Sequence, residues 1–398
     1  MKRPLILLLP LLLAFGADAP AYAQADEWKT LNEEMASLYR QGQYDRAIGV
    51  AKKALEVAEK SRGPDHIDVA ACLNNLGFLY QAQGLYAQTE PLYKRSLAIM
   101  EKALGPDHPN VGTSLNNLAE LYRAQGRYTE AEPLYKRSLS IREKGLGPDH
   151  PDVAASLNNL ALLYQSQAQY AQAEPLYKRS LAIKQKALGP DHPDVALSLN
   201  NLGFLFYTQG QYAQAEPLYK SSLAIYEKAY GPNHPDVARE LSNLGTLYQS
   251  EGQYAQAETL CKRSLAIREK VLGPDHPDVA TSLNNLADLY RIQGQYAQAE
   301  SLYNRSLAID EKAYGPVHPD VATDLNNLAF LYKSLGRYAQ AEPLYKRSLA
   351  IKEKTFGPDH PSVATSLDNL AALYRATNRV KEAEDLEKRA DAIRAIKR

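Results

Sequence analysis

The sequence predicts an all-α solenoid of nine helix pairs, and three observations carry that prediction. First, Gly-Pro-x-His recurs at Gly63, Gly105, Gly147, Gly189, Gly231, Gly273, Gly315 and Gly357, every step being 42 residues. A fixed period of this size marks a stacked array, whose units bury their apolar faces only against neighbours. Second, apolar residues recur at helical spacing between these marks: Val111, Leu115, Leu118 and Tyr122 lie four, three and four apart, one face of a helix. Third, all eight histidines and 20 of the 23 prolines fall at fixed repeat positions, so the turn chemistry repeats together with the core.

In chain order, Lys2 and Arg3 precede an apolar run over residues 5–15, interrupted by Pro10, and then Ala21-Tyr22-Ala23. A basic start, a short apolar stretch and a small-x-small site read as a secretory signal peptide, residues 1–23. A run of about 11 residues is too short to span a bilayer; an uncleaved anchor or a buried helix is the alternative. Residues 24–398 then form a single solenoid, with helix pairs at about 26–61, 67–104, 109–146, 151–188, 193–230, 235–272, 277–314, 319–356 and 361–396.

In the unit opening at Pro109, proline suits a first helical turn, where its missing N–H is no loss. Gly126 ends that helix by accepting left-handed geometry. A second helix starts near Tyr128, carries Ala131, Leu134, Tyr135, Leu139 and Ile141, and stops at Gly147-Pro148. Glu132 and Lys136 sit four apart in the favourable orientation. Pro133, with Pro91, Pro175, Pro217 and Pro343, lies beyond the first turn and is expected to bend its helix slightly. Trp28, Glu33 and Glu34 in the first unit, and Lys381, Glu382, Asp391 and Lys397 in the last, give the end units the polar character of caps.

Composition narrows the function. Lys plus Arg total 46 and Asp plus Glu total 46, which argues against non-specific binding to nucleic acid or to an anionic membrane. No second apolar stretch is long enough for a membrane span in the mature chain. Two cysteines exclude a disulfide framework and a Cys-based zinc site.

Leu-Asn-Asn-Leu-Ala/Gly-x-Leu-Tyr followed by Gly-x-Tyr-x-x-Ala-Glu resembles the tetratricopeptide repeat (TPR). The 42-residue length, with Ala-Glu-Pro-Leu-Tyr-Lys-Arg-Ser-Leu-Ala-Ile and then Gly-Pro-Asp-His-Pro-Asp-Val-Ala, resembles the kinesin-light-chain type over residues 26–398. The resemblance implies a right-handed α-solenoid (superhelix) of nine TPR helix-turn-helix units, 18 helices, acting as a non-enzymatic protein- or peptide-binding scaffold. Kinesin light chains also carry a heptad coiled coil; this chain shows none, and a signal peptide does not suit a cytosolic motor. The module is expected to transfer, in an exported protein that is periplasmic or secreted and of bacterial type.

Candidate chemistry is sparse. Equivalent histidines in successive units are separated by two helix layers, roughly 16–20 Å, whereas metal ligands must lie about 2.0–2.2 Å from one ion. The histidines therefore read as loop residues that pack or hydrogen-bond between units. Together they could make the array acid-sensitive. Cys72 and Cys261 lie four and a half units apart and read as single buried thiols. No phosphate loop, nucleophile elbow, zinc helix or EF-hand occurs, so no catalytic residue, metal or cofactor is assigned. The recurrent Lys-Arg pairs, such as Lys178-Arg179, read as a solvated outer face.

Two asparagine columns remain. The second Asn of each pair never varies (Asn75 to Asn369), which suggests a structural partner such as a neighbouring backbone group. The first varies: Asn74, Asn116, Asn158, Asn200, Ser242, Asn284, Asn326, Asp368. In the resembled fold this column lines the concave face. There, Asn116, Asn158, Asn200, Asn284 and Asn326 could hold an extended peptide backbone; a solvated helix face is the other reading. Specificity is expected from the variable columns beside them. Leu162, Leu197, Phe204 and Tyr207 form an expected apolar patch, and Phe330 with Lys333 a smaller mixed site. Glu120 with Arg123, and Asp288 with Arg291, are spaced to satisfy each other. The rival readings are a self-assembling structural component, or the regulatory part of an enzyme system.

Overall fold

The computed structural model describes residues 19–396. The expected leader, residues 1–23, lies outside them but for its last five residues, as do Lys397 and the Trp28 side chain. Eighteen α-helices, and no strand, are found among the described residues. They are α1 (Ala19–Arg40), α2 (Tyr44–Arg62), α3 (Ile67–Ala82), α4 (Tyr86–Leu104), α5 (Pro109–Ala124) and α6 (Tyr128–Leu146). Next come α7 (Pro151–Ser166), α8 (Tyr170–Leu188), α9 (Pro193–Thr208), α10 (Tyr212–Tyr230), α11 (Pro235–Ser250) and α12 (Tyr254–Leu272). The last six are α13 (Pro277–Ile292), α14 (Tyr296–Tyr314), α15 (Pro319–Ser334), α16 (Tyr338–Phe356), α17 (Pro361–Ala376) and α18 (Val380–Ile396). The nine pairs follow the expected boundaries, except that α1 starts seven residues before Asp26. The helices holding Pro91, Pro133, Pro175, Pro217 and Pro343 continue through them. The chain divides into two compact units, one ending at Leu121 and the other starting at Tyr122.

The recurrent histidine proves to be a helix cap. His150 is extended, and its Nδ1 accepts the Asp152 N–H at 3.1 Å; His192, His276 and His318 do the same at 3.1 Å, and His234 at 3.2 Å. In the first unit, His66 and His108 accept at 3.2 and 3.1 Å. A cap acceptor satisfies one of the orphan amides of a first turn. Ser, Thr, Asp and Asn are the usual caps, so composition alone did not disclose it. Gly147, after α6, has φ 88° and ψ 155°, a region open only to glycine. The turn inside each pair needs a left-handed residue; Gly126 supplies it at φ 69°, and Ala168 and Asn378 take it at 57° and 63°.

In the first unit, Met35, Leu38, Ala47, Ile48, Leu76 and Leu79 form one buried cluster. In the second, each odd helix gives a Val-Ala-Leu set to an Ile of the following even helix. Val279, Ala280 and Leu283 meet Ile309, and Leu265 from the preceding even helix closes the cluster. The same pattern joins Leu139 to Val153, Ala154, Leu157 and Ile183. One tyrosine column pairs its hydroxyls with glutamates of the even helix before it. Tyr248, Tyr332 and Tyr374 donate to Glu216, Glu300 and Glu342 at 2.8, 2.8 and 3.1 Å. Glu216 and Glu342 also hold the Lys four residues on, at 2.7 Å. The Lys-Arg pairs are tied down on the outside: Lys178 to Glu174 at 2.5 Å, and Arg179 to Glu143 at 2.7 Å. Cys72 and Cys261 are both buried free thiols, and burial pushes the Cys261 thiol up to about 12.

Candidate peptide-binding groove

An asparagine ladder joins α7 to α9, α9 to α11, α13 to α15 and α15 to α17. The second Asn of one pair donates its Nδ2 to the Oδ1 of the first Asn in the pair before, 43 residues back. Asn201 bonds Asn158 at 2.7 Å, Asn243 bonds Asn200 at 2.7 Å, Asn327 bonds Asn284 at 3.4 Å and Asn369 bonds Asn326 at 2.8 Å. The first unit repeats the pattern between Asn75 and Asn32, at 2.9 Å. The partner of the invariant column is thus a side chain one unit away rather than a backbone group. The 43-residue offset between two Asn columns was the signal available in the sequence.

The ladder narrows what the first column can offer a ligand. Its carbonyl oxygens in Asn158, Asn200, Asn284 and Asn326 already accept one bond, which leaves each only its second lone pair for a peptide backbone. The Asn284 nitrogen is fully engaged, since Nδ2 donates to Ser306 Oγ at 2.8 Å and to Asp324. Asn200 directs its Nδ2 at Asn201 Oδ1 at 3.5 Å. The Asn326 amide nitrogen makes no internal bond and its residue is half-buried, which leaves it as a donor, whereas Asn158 is buried. In the first unit Asn116 is buried. Replacing Asn201 with alanine should strand the buried Asn158 oxygen and lower stability by about 1–3 kcal/mol; denaturant unfolding of the full chain measures it.

The expected apolar patch is smaller than its four residues suggested. Leu162 is only 9% exposed, because α7 is covered on every side over six consecutive residues, 160–165. Gln165, three residues on, is itself buried, donating to Thr208 at 3.3 Å and accepting from Tyr177 at 2.8 Å. Leu197 is half-buried. Phe204 and Tyr207 remain half-exposed and stack on each other, ring centres 6.4 Å apart and planes 19° apart. The Tyr207 hydroxyl meets Ser250 Oγ at 3.0 Å, which fixes the ring.

Phe330 is 37% exposed. Arg291 lies 4.8 Å and Lys333 5.9 Å from its ring centre. Asp288 takes Arg291 at 2.9 and 2.6 Å and Gln249 at 2.7 Å, as its spacing from Arg291 suggested. Arg375, the next cation of that column, is held by Glu387 at 2.5 Å. Lys333 has no carboxylate partner, and partial burial lowers its pKa. The structure thus gathers the expected residues into two stations, Phe204–Tyr207 and Phe330–Lys333, and withdraws Leu162 and Asn284. Among the described residues no group of His, Cys, Asp and Glu is arranged for a metal, and no helix is long and apolar enough to cross a membrane.

A tetratricopeptide repeat model matches residues 29–87, 69–144, 113–186, 152–228, 194–250, 236–312, 287–354 and 320–395. None of the curated proteins searched matches the chain. Among solved structures, the chain is similar to a Podosopora anserina protein described as a kinesin light chain of nearly identical TPR-like repeats. The identity is 32% over 52% of this chain and 97% of that one, with a TM-score of 0.43. It is also similar to BtubC (BKLC) from P. vanneervenii, with 24% identity over 59% of this chain and 92% of that one, and a TM-score of 0.46. A Rap protein complexed with Competence and Sporulation Factor shares the fold at 15% identity, over 94% of this chain and all of that one, with a TM-score of 0.61.

Proposed function

This chain belongs to the tetratricopeptide repeat family, and we propose that it is an exported, non-enzymatic scaffold that holds a segment of a partner protein along its odd helices. One observation carries the reading. On the odd-helix face of residues 122–398 the Asn ladder uses up much of the framework's own amides, yet the columns beside it leave a fixed aromatic pair and an exposed Phe330 under two cations. Exposed aromatic side chains held rigid at a few points are how interfaces concentrate binding energy. The amide nitrogen of Asn326 would add a donor for a partner's carbonyls. A periplasmic or secreted location follows from the leader reading. That a fold of this kind has been solved in complex with a factor, in the Rap protein, agrees with a binding role.

Self-assembly by end stacking is disfavoured by the last pair, where Asp391 stands in the column that holds Leu139, Leu181, Leu223, Leu265, Leu307 and Leu349 in earlier pairs. An acid there would have to be buried for another unit to dock.

The test is capture of partners from a cell-envelope extract by the full chain and by a Phe204→Asp/Phe330→Asp variant, chosen because neither side chain is in the core. A protein enriched by the parent and lost at least tenfold by an equally stable variant supports the groove. Equal capture by both places binding elsewhere and overturns the reading.

A further inference from the structure

We propose that α11 is a pH-responsive joint of the array, in which the fully buried Glu240 packs as a neutral acid and its ionisation loosens α11 from α10 and α12. In the other units this position is Cys72, Ser114, Ser156, Ser198, Ser282, Asp324 or Ser366. Here a carboxyl with no exposed surface replaces a small residue.

The surroundings do not neutralise it. Arg239 Nε donates to Glu240 Oε1 at 3.2 Å, but Arg239 Nη1 is held by Asp236 Oδ1 at 2.5 Å. One guanidinium therefore serves two carboxylates. Glu240 Oε2 and Arg239 Nη2 are buried with no hydrogen-bond partner. From α10, Tyr226 lies under Arg239 at 5.3 Å, and Tyr219 and Ser222 also face the acid. From α12, Arg268 brings a second buried cation toward Arg239 and Asp236. It is itself engaged, donating to Asp278 O at 3.0 Å and Ser282 Oγ at 2.8 Å on α13. An under-paired buried carboxylate sheds its charge by binding a proton.

The Asn ladder is also interrupted at this place. Ser242 interrupts the first Asn column and bonds Ser264 at 2.8 Å, so the next rung's Asn285 has no Asn to donate to. The step from α11 to α13 lacks the link that joins α9 to α11. Burial pushes the Glu240 carboxyl up to about 7, against the opposing pull of Arg239 and Ser222. The group is protonated in both folded and unfolded chains at low pH. Its destabilising effect grows as pH rises above the ordinary carboxylate range and levels off above about 7. Because α11 bonds Tyr207 through Ser250, the joint borders the aromatic station.

Hydrogen exchange of α11 amides in the full chain, corrected for the intrinsic effect of pH, tests this. Helix α7 is the internal reference, because it carries the same histidine cap (His150 with Asp152) but a serine, Ser156, in place of the acid. Between pH 5.5 and 8.0 the opening equilibrium of α11 should rise on the order of thirtyfold relative to α7. Glu240→Gln, and Glu240→Ser as the residue of five equivalent units, should abolish that rise. The proposal is overturned if α11 tracks α7 in the parent, or if either folded variant keeps the rise.

Discussion

Leu265→Asp is expected to destabilise the array by about 2–4 kcal/mol and to open it first between α12 and α13. Leu265 packs on Val279, Ala280, Leu283 and Ile309, and an aspartate there would bring a charge to that seam, where the cation three residues on, Arg268, is already held by Asp278 O and Ser282 Oγ. Each unit leans only on its neighbours, so the damage should spread from this joint rather than unfold all helices at once. The substitution copies the chain's own last pair. There the equivalent residue is Asp391, which faces solvent and pairs with Arg394 at 2.9 Å. Arg394 also reaches Asp368, the first-column residue of its pair, and Ala395 stands where Glu227, Glu269, Glu311 and Glu353 receive an arginine from the next pair. A residue tolerated where this face is exposed should break the array where the face is covered. Exchange protection lost first in α12 and α13 is the expected result; uniform loss along the chain, or none, would refute the nearest-neighbour account.

The same repetition explains why the fold was legible in the sequence and the site only partly so. A period of 42 residues prints the same helix pair repeatedly, so each boundary is marked by its own Gly, Pro and His and checked by eight repetitions. The site depends on departures from the pattern, and a departure occurs once. Leu162 and Phe204 stand in the same column, yet in the fold the first is covered and the second is half-exposed. The Asn columns looked like ligand-binding residues because amides suit peptides. They suit each other equally well, and neither column alone reveals a bond formed one unit away. The capping histidines escaped for a related reason: imidazole is an uncommon cap, and its role rests on the extended backbone that holds Nδ1 over the second amide of the next helix.

Another column, unremarked in the sequence, leads to the second large effect. Successive even helices place Met100, Arg142, Lys184, Tyr226, Arg268, Asp310 and Lys352 at one repeat position. Arg142 and Arg268 are each held by a backbone carbonyl and a serine on the next odd helix, but Lys352 has only Ser366 Oγ, at 2.9 Å. Burial alone depresses its ammonium to about 8. For a base this means that the folded chain resists the charged form. The penalty is complete below about pH 8, where folded and unfolded lysine are both charged, and it fades as pH rises toward the ordinary lysine value near 10.4. Lys352→Met should therefore raise stability at pH 7 by about 2–3 kcal/mol, since a group of similar length replaces a poorly solvated charge. Methionine has a precedent at this position, because Met100 is buried there with 3% exposure. The gain should shrink toward zero by about pH 10.5, as the parent sheds its proton. Denaturant unfolding of both chains at pH 7 and pH 10 decides the matter. A variant no more stable than the parent at pH 7 would show that Lys352 keeps its hydration, and a gain that persists at pH 10 would trace the effect to packing rather than charge.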